Sequence, residues 1–412
     1  MSLDTKMAWR NVWRNPRRSI LTMSAIAFAT MLLVFMLSWQ FGSYATMINS
    51  SVMIHTGHLQ VQSEGYLDKK EMHRVVPNPA AVDDILAGAK GVAAYSSRAN
   101  AFSLISSPNR TYGAMVVGIE PEKEANVSTL AKITREGSYL ASTDTNHALI
   151  GELLARNLQV RLGDELVLLG QGRDGSIAAT VVEVKGIFSS GQDEYDRSMV
   201  HIPLKFFQDV YSMSGSVHEV VIVGESLEAV PEIKKEVAAK LSDMHDHANL
   251  VVLDWKELMP GLVQAIKMDL VSGFIFYIIL VVVVAFSILN TFLMAILERT
   301  REFGIMMAIG TAPNRLTKIL LLESAGMTLM GLFFGALLGS LVTWYFQVHG
   351  IVISGTAEIM RQYGLPERMF PELSVLSICV GAGVVFLITI LAALYPALKV
   401  RRLRPVEAIS SA

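Results

Sequence analysis

The sequence is short of charge and almost without cysteine. Only 17% of its 412 residues are charged, 52% are hydrophobic, and the mean hydropathy is +0.42. That balance excludes an ordinary soluble chain and marks an integral membrane protein. The single cysteine, Cys379, lies in an apolar run, so an intramolecular disulfide and a thiolate metal site are both excluded. A net charge of −2 gives no electrostatic footprint for nucleic acid. Catalytic signatures are missing too. There is no Gly-x-x-x-x-Gly-Lys-[Ser/Thr], hence no P-loop for ATP. There is no Gly-x-Ser-x-Gly and no zincin helix, and no catalytic or metal-binding residue is assigned.

What is present is organised around residues 298–318, a short basic connector between two long, almost uncharged runs. These runs, 269–297 and 319–346, are each long enough to cross a bilayer, which takes about 20 apolar residues. Residues 20–43 and 374–395 read as two further spans. Basic residues gather before the first span (Lys6, Arg10, Arg14, Arg17, Arg18), in the connector (Arg299, Arg301, Arg315, Lys318) and in the tail 396–412 (Lys399, Arg401, Arg402, Arg404). The short loop 347–373 has few. Four spans with both termini in the cytoplasm then satisfy the positive-inside rule. Residues 1–19 suit an interfacial amphipathic helix, with Trp9 and Trp13 one turn apart as headgroup-level anchors. The first apolar run is longer than a signal peptide's and no small-residue cleavage site follows it, so an uncleaved anchor is expected.

Between the first two spans, residues 44–268 have the composition of a soluble domain. At roughly 220 residues it is large enough to be held by its own core. Alternation at His58–Gln62 and Thr180–Val184 predicts half-buried strands, and Leu250–Leu253 a further one. Leu149–Val160 and Glu232–Leu241 read as helices, Leu162-Gly163-Asp164 as a turn before a strand, and Gly170–Ser176 as a polar loop. Helices and strands follow no βαβ rhythm, so the expected class is a four-helix membrane protein with a large extracytoplasmic α+β domain between helices one and two.

In the connector, Phe303, Met306, Met307 and Gly310 recur at helical spacing behind Glu298, Arg299, Arg301 and Glu302. This predicts a short amphipathic helix with one apolar side ready for a partner, ended by Gly310 and Pro313. The bland alternative is a solvated loop. Gly331, Gly335 and Gly339 bare one face of span three, for packing within the chain or at a dimer seam. Glu323, one turn into that span, is the candidate polar intramembrane residue, snorkelling or paired with a basic connector residue. His245 and His247 with Asp243 and Asp246 read as a solvated turn rather than metal ligands. Without buried charge for ion coupling, the chain is expected to draw energy from a partner.

Several blocks carry a family resemblance. ERTREFGIMMAIGTAPNRL resembles the connector of the FtsX-like, type VII ABC transporter permeases. The N-terminal AWRNVWRNPRRSILTMSAIAFATML, the span-three GLFFGALLG after Glu323 and the tail YPALKVRRLRPVEAI are similar to the same family. VVGIEP, LIGELLARNLQVRLGDELVLL and VVLDWKELMP resemble its MacB-like periplasmic core, and VEVKGIFSSGQDEYDRSMVHIPL its lipoprotein-releasing, LolC/LolE-like branch. The resemblance implies a bacterial inner-membrane permease working by mechanotransmission as a dimer with itself or a paralogue. It implies a separate ATPase subunit in two copies, binding the ATP and Mg that this chain does not. Glu298, Arg299, Arg301, Glu302, Phe303, Gly304, Met307, Ala308 and Gly310 would couple to that ATPase. A lipidated or amphipathic cargo would meet Phe28, Phe35, Phe274 and Tyr277, with membrane lipids and a periplasmic chaperone or adaptor as further partners. The alternatives are an efflux permease with an adaptor, and a non-transporting regulator of a cell-wall hydrolase.

Overall fold

The structure, a computed structural model, describes residues 3–243, 249–352, 355 and 368–400. The chain divides into two units. Met1–Tyr44, Ile266–Val352 and Arg368–Ala412 form one, and Ala45–Ala265 with Ile353–Glu367 the other.

The first unit is helical. A short N-terminal helix, Leu3–Arg14, is followed by the first long helix, Pro16–Ser51. The others are Pro260–Glu298, the connector helix Thr300–Ala308, Pro313–His349 and Val375–Val400. Three of the long helices open on proline, whose missing N–H costs nothing in a first turn. Among the described residues, four helices are long and apolar enough to span a membrane. At 1.5 Å per residue the 36-residue first helix is ~54 Å long, against a hydrocarbon core of ~30 Å. It therefore runs well beyond a bilayer.

Spans one, three and four pack closely. A Cβ at Gly331 would lie 2.8 Å from Ile26 Cβ, and one at Gly335 2.5 Å from the Ala27 carbonyl oxygen. At Gly339 it would come within 3.1 Å of Met31 Cα, and at Gly381 within 3.1 Å of Val34 Cγ2. The bare face of span three is thus closed by span one of the same chain. Ile26, Ala29 and Leu33 meet Met327, Val385 and Ala393 in this core. Span two is different. Ile288 and Phe292 reach the core, but most of its apolar stretch is unburied, so that surface is left for lipid or a second chain.

The second unit is an α+β domain on one ten-stranded sheet. Its strands are β1 Leu59–Ser63, β2 Val92–Ser106, β3 Thr111–Ile119, β4 Thr134–Gly137 and β5 His147–Gly151. They continue as β6 Glu165–Gln171, β7 Ile177–Phe188, β8 Met199–Pro203, β9 Glu219–Gly224 and β10 Leu250–Asp254. The order is β10-β1-β9-β2-β3-β8-β5-β7-β4, with β6 pairing β2 and β7. Pairing is antiparallel except for β3 with β8 and β5 with β7. The Leu162–Asp164 turn, with Gly163 at φ 83°, and the loop inside 170–176 fall where alternation places them. The helix expected over Leu149–Val160 is shorter. Ala148, Leu149 and Ile150 are fully buried in β5, and the helix is Glu152–Leu158. A buried strand shows no alternation, so its apolar run merged with the helix that follows.

The first long helix passes into a π-helical turn, Val52–Thr56. Arg98 on β2 holds that turn. It is wholly buried, donates to Glu124 through Nη2 (2.6 Å) and Nε (2.9 Å), and donates to the His55 carbonyl. Burial keeps His201 neutral down to about 3 and His218 down to about 4.

Candidate functional site

The connector helix is built around one arginine. Arg299 sits at its N-cap, between span two and the connector, and is 7% exposed. Its Nη1 donates to both carboxylate oxygens of Glu323, at 3.1 and 3.3 Å, and its Nε donates to Glu302 at 3.2 Å. The guanidinium also lies 5.3 Å from the Phe303 ring centroid, within cation–π range. Glu323 is the intramembrane carboxylate, and Arg299 is its partner. Removing one member of such a buried pair strands the other charge, at a cost of about 3–5 kcal/mol in fully closed sites.

The N-terminal helix and the start of the first long helix supply a second tier. Arg14 Nη2 donates to both Glu302 oxygens at 2.6 Å, and Arg18 Nη1 to Glu298 at 2.9 Å. The Arg14 hydrogen bond, with Arg299 behind it, holds the Glu302 carboxyl below its usual range. Asp4 accepts from Arg315 Nε at 2.9 Å and pairs with Lys318 at 3.5 Å, and its carboxyl is lowered for the same reason. Arg14 and Arg18 are four residues apart, as are Glu298 and Glu302. That matched spacing was readable in the sequence, but which residues face each other across about 280 positions was not.

The helix ends as Gly310 dictates. Gly310 has φ 100°, its N–H donates to the Met307 carbonyl at 3.1 Å, and the Thr311 N–H donates to Met306 at 2.9 Å. This is a Schellman closure, whose left-handed residue strongly favours glycine.

The faces of the connector helix differ from the sequence expectation. Phe303 is 2% exposed and packs with Ile296 and Leu316, while Met306 and Met307 lean on that cluster and Gly304 is buried. Phe303, Met306 and Met307 turn inward because Ile296 of span two and Leu316 of span three offer them an apolar seat. Arg301, Ile305, Ala308, Ile309 and Gly310 are exposed instead, Ile309 to 79%. Arg301, Ile305, Ala308 and Ile309 follow the i, i+4, i+7, i+8 rhythm of one helix face.

The proposed cargo-facing residues differ in exposure. Phe28 and Phe274 are largely exposed. Phe35 is half-buried against Phe346, with ring centroids 5.8 Å apart. Tyr277 is half-buried and its hydroxyl donates to Gln40 at 2.9 Å. Gln40 donates in turn to Tyr44, and Tyr44 to Asp269, at 2.8 and 2.6 Å. His245, Asp246 and His247, and the tail arginines Arg401, Arg402 and Arg404, lie outside the described residues.

Comparison with known proteins places this geometry. Residues 19–240 match the MacB-like periplasmic core domain, and residues 274–405 the FtsX-like permease C-terminal region. The chain is similar to the lipoprotein-releasing system transmembrane protein LolC of Xylella fastidiosa (strain 9a5c), 24% identical over 311 residues and 72% of each chain. It is similar to the transmembrane protein LolE of the same system in Haemophilus influenzae (strain ATCC 51907 / DSM 11121 / KW20 / Rd), 23% identical over 326 residues and 75% of each chain. Among solved structures, the extracellular domain of the noncanonic ABC-type transporter YknZ from Gram-positive bacteria aligns with 48% of this chain and 98% of its own. The identity there is 17% and the TM-score 0.36. The chain belongs to the FtsX-like permease family, with a MacB-like periplasmic core domain, and is an ABC transporter permease of the LolC, LolE and MacB type.

Proposed function

We propose that this permease couples ATP hydrolysis by separate ATPase subunits to the release of lipoproteins from the inner membrane. ATP and Mg are bound by two copies of the ATPase, and two permease copies, or this chain and a paralogue, form the membrane part. The observation that carries the reading is the connector helix. It is rooted by Arg299 and Glu323 and shows a free face of Arg301, Ile305, Ala308 and Ile309. A rigid lever with one exposed apolar face suits a partner that pushes, and rigid-body movement would carry the stroke into the spans. The uncharged surface of span two suits an acyl chain, whose burial is favourable by about 0.8 kcal/mol per CH₂.

A photo-crosslinker at Ile309 should capture the ATPase subunit in cells, and the purified chain alone should hydrolyse no ATP. Depletion should strand lipoproteins in the inner membrane. Hydrolysis by the isolated chain would sink the coupling scheme. Normal lipoprotein sorting with raised drug sensitivity would favour efflux through an adaptor, the reading that the MacB-like core supports.

A further inference from the structure

We infer that the N-terminal helix binds anionic phospholipid headgroups on the cytoplasmic leaflet, through a face made of Lys6, Trp9, Arg10 and Trp13 with Arg17 just beyond it. The inference stands apart from the ATPase and the cargo.

Leu3–Arg14 sorts its residues by face. Ala8 and Val12, 3% and 1% exposed, seat the helix on the membrane unit, where Val12 joins the core to which all four spans contribute. Lys6, Trp9, Arg10 and Trp13 follow at three- and four-residue intervals, so they share the flank away from that seat. Trp9 and Trp13 are 46% and 45% exposed and meet edge to face, ring centroids 6.2 Å apart. An indole pair left open beside the start of a membrane span is what the headgroup layer accepts, ring body in the acyl boundary and N–H toward water.

The charges are sorted in the same way. Arg14 and Arg18 are neutralised by Glu302 and Glu298, and the one acid of the segment, Asp4, is taken by Arg315 and Lys318. Lys6, Arg10 and Arg17 are exposed and have no ion pair among the described residues. The chain therefore satisfies the cations that face its connector and leaves bare those that flank the indoles. Met7, Trp9, Arg10, Asn11, Trp13 and Arg14 line an open hollow there. Just after it, Ile20 and Leu21 are 51% and 70% exposed, as acyl-facing residues would be. Two unpaired cations on the indole face, with a third at the start of the next helix, match a phosphate-rich surface of net negative charge and gain little from a zwitterionic one.

The test places a benzophenone amino acid at Trp13 in the full chain. The chain sits in nanodiscs of equal parts phosphatidylglycerol and phosphatidylcholine with matched acyl chains, and the lipid adducts are read by mass spectrometry. A second photo-probe at Trp344, 60% exposed on span three, is the control. Phosphatidylglycerol should exceed phosphatidylcholine at position 13 by roughly five-fold, the equivalent of ~1 kcal/mol for a cation near the surface. The control should show a ratio near one. Lys6→Gln with Arg10→Gln and Arg17→Gln should bring the position-13 ratio to that of the control, and raised salt should shrink it. Equal capture at position 13, or a preference that survives the triple variant, overturns the proposal. So does capture of a protein in place of lipid when native membranes are irradiated, which would make this face a protein contact.

Discussion

Each unit of this permease buries an arginine against a glutamate, and the two pairs are built for different work. Arg98 in the domain is 0% exposed, grips Glu124 through two bonds of 2.6 and 2.9 Å, and closes on a backbone carbonyl. Arg299 in the membrane unit is 7% exposed and holds Glu323 at 3.1 and 3.3 Å. It shares itself with Glu302, which Arg14 links to the surface. The first is a closed clamp on a helix end. The second is a node with an open side, where a carboxylate can change partners. A pair sealed from water can only hold or break, whereas one that adjoins solvent-exposed charges can rearrange at modest cost.

The sharpest way to break the comparison is at Arg98. Arg98→Ala leaves Glu124 and Glu219 buried without their counter-charge, and should cost about 3–5 kcal/mol. Loss of the domain's thermal transition in the purified full chain is the expected readout. A change below about 1 kcal/mol would mean that the clamp does not seal the site.

Arg299→Ala should cost less, about 1–3 kcal/mol, because water and Arg14 can reach the abandoned acids. Its larger effect should be on coupling, with ATPase stimulation by cargo lost in the assembled complex. The exchange Arg299→Glu with Glu323→Arg should recover part of that stimulation. If the single and exchanged variants behave alike, Arg299 is not a coupling node.

Acid should separate the two units. In the domain, burial keeps His201 and His218 neutral to about 3 and about 4, against the ordinary imidazole value of 6.5. Below 6.5 the unfolded chain binds protons that the folded one refuses. Their contribution is therefore complete above 6.5 and is lost as the pH falls. Glu219, raised by burial, works in the opposite sense above the ordinary carboxyl value of 4.5 and so offsets part of that loss. The domain's thermal unfolding midpoint should fall as the pH goes from about 7 to about 5, and His201→Gln with His218→Gln should lessen that fall, the rest coming from His55 and His58, which burial also holds below the usual imidazole range.

The smallest effect belongs to the surface tier. Arg14→Gln removes an ion pair whose partners are 49% and 45% exposed, worth about 0.2–1 kcal/mol and screened by salt. A loss above 2 kcal/mol at high salt would mean that Arg14 is part of the node itself.

How much was readable beforehand follows the range of the forces involved. The spans follow from unbroken apolar runs, and the end of the connector helix from Gly310, because a left-handed closure needs no more than local backbone sterics. The β6–β7 pair follows from alternation around a Gly-rich turn. Strand β5 was hidden because burial on both faces erases its period. The free face of the connector was misread for a related reason. Hydrophobic spacing says that Phe303, Met306 and Met307 share a side, but not whether spans two and three already occupy it.

The sequence by itself determined the membrane class, the four apolar helices and the large domain between the first two. Those properties depend on composition and on neighbours a few residues apart. Only the tertiary structure decided that Glu323 meets Arg299, that Glu302 meets Arg14 across 288 positions, and that Arg98, a charged residue in a strand, is sealed inside. Each of these depends on how helices and strands are rotated about their axes when they pack, and that rotation is set by the whole core at once.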